Sequence, residues 1–538
     1  MSDIKIALGL DFGTESVRAL LVDLEGREQA SAVSNYQHGQ ITDKLPGTGE
    51  KLPPNFAFQH PQDWIDSAAQ AVQEALKSAG LTGDEIIGIG VDFTSCTMLP
   101  AKRDGTPLCL LSDFAEEKFS WPKLWKHHGA EKQTERINEL ARQRNEPWLA
   151  RYGGIIGLEW FFPKVLETLE EAPHVYDATE VWLEAGDWFV WQLVGTNADG
   201  LTRSTCQAGY KAMWHSVDGY PSSDFFAALN PKLADVVATK MPGQMLAPGE
   251  SAGNLCDTMQ DRFGIKNPVP VSAVTIDAHA GVPGAGAADP GAMVMVMGTS
   301  SCHMLNATDE QSVPGVAGVV EGGILPGMFG YETGQAAVGD AFDWLRQTVG
   351  EENFDSLTEK AAVLPPGADG VLCIDWFNGC RTPLMDGSLS GAFSGLTLNH
   401  GSHHMYRALM EASAFGVRWI VEILRENGVP VDEFIATGGL PHHNPLLVQI
   451  YADVLGVPIS VHPSKQGPAL GAAILGVLAA GAEASSFASA SDAILAMAGT
   501  KPGDPDREPL VVQPDQEAHN AYSRVYADYR KLGDFLAS

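Results

Sequence analysis

Ala7-Leu8-Gly9-Leu10-Asp11-Phe12-Gly13-Thr14-Glu15-Ser16 is an apolar run that stops at an acid and turns on a glycine. In the second half of the chain, Met295-Val296-Met297-Gly298-Thr299-Ser300-Ser301 repeats that form. Each reads as a strand, a Gly-Thr turn and a return strand. Two such hairpins, each opening its own half, predict a duplicated domain with a cleft between the halves. Working outward, strands alternate with helical segments, which is the signature of an α/β architecture. Residues 4–10, 17–23 and 86–93 read as strands. Residues 60–80 read as a helix with the apolar stripe Trp64, Ile65, Ala68, Val72 and Leu76. A strand over 269–276 leads into a small-residue helix over 278–287, and Asp289-Pro290-Gly291 breaks the chain. A hairpin over 293–306, a long helix over 404–426, a strand over 433–437 and a turn at Gly438-Gly439 follow. The last helix spans 518–535. The stretch 120–268, richer in Trp, Pro and charge, reads as an insertion decorating the first lobe.

Composition narrows the partners. The 538 residues carry 35 Lys plus Arg against 67 Asp plus Glu, a formal net charge of −32. Such a surface cannot neutralise nucleic-acid phosphates or an anionic membrane. The opening Met1-Ser2-Asp3 runs directly toward a strand and predicts no leader. The longest apolar stretch, 469–482, is short and Gly-rich for a bilayer span. Seven scattered cysteines without a Cys-x-x-Cys spacing suit reduced thiols in a cytoplasm. The adjacent pairs His127-His128, His403-His404 and His442-His443 lack the i, i+4 spacing that sets two metal ligands on one helix face. The run 130–144 reads as a solvated helix face. No G-x-x-x-x-G-K-[ST] or G-x-G-x-x-G stands at a strand–helix junction, which disfavours the Walker and Rossmann modes. Glycine is abundant, at 57 residues, which favours tight turns and close backbone approaches.

Three places carry chemistry. The turns Gly13-Thr14 and Gly298-Thr299 allow backbone N–H groups and a hydroxyl to cradle phosphate. Asp11, at the strand end, suits Mg²⁺ held mainly through water; a plain hairpin turn is the alternative. Asp277, after an apolar strand and before a helix, reads either as an N-cap or as a general base. Gly438-Gly439, followed by Asn444, leaves room for a base or ribose to pack on the backbone.

These elements, in this order, resemble the FGGY carbohydrate kinases of the actin-like ATPase superfamily. The resemblance is carried by Val91–Pro100, Leu124–His128, Glu159–Lys164, Cys206–Trp214, Ile276–Gly281, Gly298–Met304 and Gly330–Asp340. A literal Phe-Gly-Gly-Tyr is absent. The resemblance implies an α/β fold of two actin-like (ribonuclease H-like) lobes with the active site in the cleft between them. The first lobe would span 1–287, with the insertion, and the second 288–538, with a helical tail. It implies ATP and Mg²⁺ as cofactors and transfer of the γ-phosphate of ATP to the 5-hydroxyl of L-ribulose in arabinose breakdown. Xylulose, D-ribulose or ribitol are alternative acceptors, and a non-catalytic actin-like ATP switch is the remote one. Asp277 would be the catalytic base. Ser95, Asp92, Lys211 and Glu332, the last in a Gly-rich turn, would line the sugar pocket. Gly13, Thr14, Gly298 and Thr299 would meet the phosphates, with Gly339, Gly438, Gly439 and Asn444 at the adenosine. Arg18, on the return strand, stays outside the catalytic set. Lobe closure is expected, with a hinge near 288–291. The expected partners are a small-molecule sugar and ATP, with no nucleic acid and no membrane. A homodimer is compatible with the sequence, which reports no oligomeric state.

Overall fold

The computed structural model describes residues 4–538 apart from 502 and 506, so the opening Met1-Ser2-Asp3 lies outside the described residues. Two seven-stranded sheets form the scaffold. In the first, Glu28–Asn35, Ser16–Asp23 and Ile6–Phe12 run as an antiparallel ladder, and Ile86–Phe93 then pairs in parallel with Ile6–Phe12. Pro270–Ser272 and Thr275–Ile276 both pair in parallel with Ile86–Phe93, and Ser251–Asn254 closes the edge antiparallel. The second sheet repeats the plan. Phe329–Gln335, Ser301–Ala307 and Ala292–Met297 form the ladder, Glu433–Thr437 and Ile459–Val461 add in parallel, and Leu510–Val512 closes the edge antiparallel. Gly318–Glu321 extends it beyond Phe329–Gln335. The duplication expected from the two Gly-Thr hairpins is therefore present strand for strand.

Local chemistry sets the element ends. His60 caps the Pro61–Ala79 helix by accepting from the Gln62 amide, and Gly80, at φ 70°, ends it. The expected strand over 269–276 is split in two, because Ala273 turns its amide to Glu250 instead of the sheet. Part of the supposed insertion belongs to the first lobe proper. Trp188, Phe189 and Leu193 of the Ala185–Val194 helix pack into the core beneath the first sheet, and Ser251–Asn254 is one of its strands. The true appendage has its own apolar core, built on Ile137, Phe161, Val165, Phe225 and Phe226. Gly438-Gly439 is not a simple turn: Gly438 caps the short Gly439–His443 helix.

The apolar stretch read over 469–482 is the middle of a 19-residue helix, Gly467–Ser485, long enough by length and composition to cross a membrane. Its place in the fold explains its composition. It lies across Ile6–Phe12 and Ile86–Phe93 of the first sheet and against the Asp277–Gly284 helix. A Cβ built on Gly471 would stand 1.7 Å from the Ala280 carbonyl oxygen, and one on Gly90 1.7 Å from that of Ala472. The two lobes thus meet through backbones in contact, and much of the glycine is spent at this seam. The seam also bears on the expected hinge. Residues 288–291 carry the chain from one lobe to the other, but Gly467–Ser485 crosses back, so any lobe rotation must be accommodated at both. Gly471→Ala is expected to lower unfolding free energy by about 3 kcal/mol, read as a drop in the urea midpoint; an unchanged midpoint would show that the seam can yield.

Candidate active site between the lobes

Three carboxylates gather at the strand ends of the first sheet. Register places Asp11 beside Asp92 and Thr275 beside Asp92, with Asp277 two residues further on. Asp92 is fully buried, and its carboxyl meets that of Asp11. Burial first, then the charges of Asp11 and Asp277, push its carboxyl well above the usual range. The cavity between the lobes is lined by Thr94 and Ser95 and not by Asp92, which lies behind that lining, contrary to the expectation from sequence. Burial also raises Asp11, against the opposing pull of Asp92 and of Arg18, whose guanidinium lies 3.9 Å away. Asp277 is not an N-cap: Ile276 takes that position and Asp277 opens the helix. Its Oδ1 accepts the Ala278 N–H at 2.7 Å. Burial nevertheless raises its pKa to about 7, helped by Asp11 and Glu332 and opposed by that hydrogen bond and by Lys211.

Asp277 opens into a cavity of about 600 Å³ that both lobes line. Thr14, Ser95, Lys211 and Glu332 face the same space. Lys211 is not a surface lysine; it ends the Thr205–Lys211 helix and is buried. Glu332 is not in a turn but in the middle of the Phe329–Gln335 strand, opposite Met304. Lys211 Nζ donates to both Glu332 oxygens, at 3.1 and 3.2 Å. Burial would raise Glu332, but Lys211, Arg381 and His279 together outweigh it and hold its pKa near about 2. The same pairing raises Lys211 against the opposing effect of burial.

Sequence reasoning missed two members of this cluster. Arg381 donates to Glu332 Oε1 and comes from a loop far along the chain. His279 lies 3.4 Å from Glu332 Oε2, with its ring tilted over Tyr210 and neither nitrogen hydrogen-bonded. Burial holds it neutral, with a pKa of about 4. Its place one turn-step beyond Asp277 was a usable signal; nothing local marks Arg381.

The two Gly-Thr turns are braced alike. Gly13 N–H donates to the Ser16 carbonyl and Gly298 N–H to the Ser300 carbonyl, each at 3.0 Å. Tyr36 and Gln59 side chains occupy the Gly13 and Thr14 carbonyls. Trp125 donates to the Thr14 hydroxyl, which leaves that hydroxyl free to donate. In the second turn, the Gly298 and Thr299 carbonyls receive amides from Val338, Gly339 and Asp340. With their carbonyls engaged by the fold, both turns are left to meet a ligand chiefly through their hydroxyls and remaining backbone N–H groups.

Two further cavities continue from the first. One, of about 330 Å³, shares Ala278 with it and is lined by Gly438, Gly439 and His443. The next, of about 920 Å³, shares His443 and is lined by Gly339, Phe342, Tyr406, Leu440 and Asn444. The Asn444 side chain is committed to the fold. Its oxygen caps the Pro445–Leu455 helix at Leu447, and its amide donates to the Tyr406 hydroxyl. It borders the cavity without a free hydrogen-bonding group on its oxygen side.

The chain matches the N-terminal domain of the FGGY family of carbohydrate kinases over residues 6–284 and the C-terminal domain over 293–480. It is 45% identical to a ribulokinase of Shouchella clausii, covering 99% of this chain and 95% of that protein. It is 43% identical to a ribulokinase of Mycolicibacterium smegmatis, covering 99% and 94%. Among solved structures, a xylulose kinase from Rhodospirillum rubrum aligns with a TM-score of 0.78 at 22% identity over 99% and 100% of the two chains. A glycerol kinase from Plasmodium falciparum aligns with a TM-score of 0.78 at 17% identity over 98% of each. At these identities the structural likeness speaks for the fold alone.

Proposed function

The chain belongs to the FGGY family of carbohydrate kinases, ATP-dependent enzymes of two actin-like lobes, and from that premise we propose that it phosphorylates the 5-hydroxyl of L-ribulose. The observation that supports this most is the shared cavity. A carboxylate with a pKa of about 7, Asp277, faces the same space as the Lys211–Glu332 pair and as Thr14 of the first Gly-Thr turn. Asp277 takes the proton of the sugar hydroxyl as that oxygen attacks the γ-phosphorus, and ADP leaves. Lys211, Glu332 and Ser95 engage sugar hydroxyls, offering donors and acceptors together, as a polyol requires. Gly13-Thr14 and Gly298-Thr299 hold the phosphates, which run on past Gly438 and Gly439 to the adenosine near Gly339. The identity to the ribulokinases supports L-ribulose over other pentuloses.

Mg²⁺ fits the strand ends, where three acids gather and Arg18 stands 3.9 Å from Asp11. Asp11 would hold the ion through water, and once bound it would neutralise phosphate charge. The seven cysteines are all unpaired, which supports a reducing, cytoplasmic setting. A coupled ADP-release assay across L-ribulose, D-ribulose, xylulose and ribitol tests the reading. The expected result is the highest kcat/KM for L-ribulose. A tenfold preference for another acceptor would replace the substrate, and no sugar-dependent ADP would overturn the proposal.

A further inference from the structure

The three connected cavities must receive a polyanionic nucleotide in a chain of net charge −32. Most cations that line them are already committed. Lys211 and Arg381 are held by Glu332. Arg346 donates to Asp343 and to the carbonyls of Glu351 and Glu352. Lys465 differs. It lines the middle cavity opposite Gly438 and Gly439, and among the described residues it has no hydrogen-bond or ion-pair partner. Beside it, His442 has its Nε2 buried without a partner and close enough to Lys465 to feel its charge. Ser464 and the first turn of the Gly467–Ser485 helix complete that wall.

Resting on the kinase reading above, we propose that Lys465 is a nucleotide-binding residue whose ammonium pairs with the phosphates of ATP and ADP in the middle cavity. The position follows from the series of cavities. The sugar end is fixed by Asp277 and Glu332, and the roomier far end, where Phe342, Phe354 and Tyr406 offer aromatic faces, suits a base. The phosphates then span the narrow segment between them, and Lys465 is the uncommitted lysine or arginine of that segment. A lysine there supplies a point charge without demanding one phosphate geometry. It therefore contributes to binding of substrate and product nucleotides alike and leaves sugar recognition untouched.

The test compares wild type with Lys465→Met and Lys465→Arg, after thermal melts confirm that all three fold. Titration calorimetry measures ADP and adenosine separately, and steady-state kinetics measures KM for ATP and for the sugar. A charge-assisted contact predicts about a tenfold weaker ADP Kd and higher ATP KM in the Met variant. Adenosine affinity and sugar KM should stay within about twofold, and Arg should recover most of the loss. The salt dependence of ADP binding should also flatten in the Met variant. Unchanged ADP affinity would overturn the proposal. So would an equal loss for adenosine, since that reports a structural change and not a phosphate contact. If wild-type protein bound neither ADP nor ATP, the kinase reading itself would fail, which is a separate outcome.

Discussion

Asp277→Asn is expected to lower kcat by about a thousandfold, in the middle of the range for loss of a general base. Asparagine keeps the shape and the acceptor for the Ala278 amide, so the helix start should survive. What it loses is the capacity to take a proton. ATP and sugar affinities should therefore move by only a few-fold, leaving the defect in kcat. The same residue predicts the pH profile. Burial raises its pKa from the ordinary 3.8 to about 7, and only the ionised form can act as base. Wild-type kcat/KM should climb about tenfold per pH unit below 7 and level off above it, since this quantity reports the free enzyme. The residual rate of the Asn variant should lose that slope. A variant that turns over near the wild-type rate, or a profile already flat from pH 5 to 8, would remove Asp277 from the role of base.

Glu332→Gln should be the most damaging change to the sugar site, in stability as well as in binding. The carboxylate is the acid that both Lys211 and Arg381 face. Removing it leaves the buried Lys211 ammonium beside the partly buried Arg381 guanidinium, and breaking a buried pair from one end costs about 3–5 kcal/mol. The chemical-denaturation midpoint should fall accordingly, and the sugar KM should rise by at least an order of magnitude. Adding Lys211→Met removes one of the stranded charges, so the double variant should regain part of the stability but none of the sugar affinity. If the double variant were less stable than Glu332→Gln alone, the cations would not be what destabilises it. The depressed pKa of Glu332, near about 2, also fixes a sign. Its contribution is fully present above the unfolded value of about 4.5 and is lost as pH falls toward 2. Acid unfolding of the wild type should include this group, and the Gln variant should show a shallower acid limb.

The architecture was legible because the determinants are local and repeated. An apolar strand, a Gly-Thr turn and a return strand can be read wherever they occur, and finding the pair at 13–14 and 298–299 made the duplication visible. The boundary of the insertion was less legible. Composition marks 120–268 as different, yet Trp188 and Phe189 pack under the first sheet, and no local property separates a core tryptophan from a decorating one. Glu332 was singled out by its neighbours but assigned to a turn, because Gly330 and Gly334 mimic turn chemistry. The ladder to Met304 overrides that preference. The family resemblance placed Asp92 with Ser95 at the sugar. Asp92 ends a central strand, flanked in register by Asp11 and Thr275, and is covered by them, whereas Ser95 lies past the strand end and reaches the cavity.

The sequence by itself determined the two-lobed α/β plan, the paired donor turns and the candidate base. Each of these depends on residue type and on spacing within a few positions. Only the tertiary structure decided how the charges are distributed. It brought Arg381 to Glu332, tilted His279 over Tyr210, buried Asp92 beside Asp11 and left Lys465, among the described residues that line the middle cavity, as a lysine without a partner. It also showed that much of the abundant glycine serves the seam where Gly467–Ser485 crosses the first sheet, beyond the phosphate turns. Those outcomes depend on which strands meet in register and which helices cross between the lobes. Coulomb and desolvation energies follow distance and burial in space, and neither is written in the order of the residues along the chain.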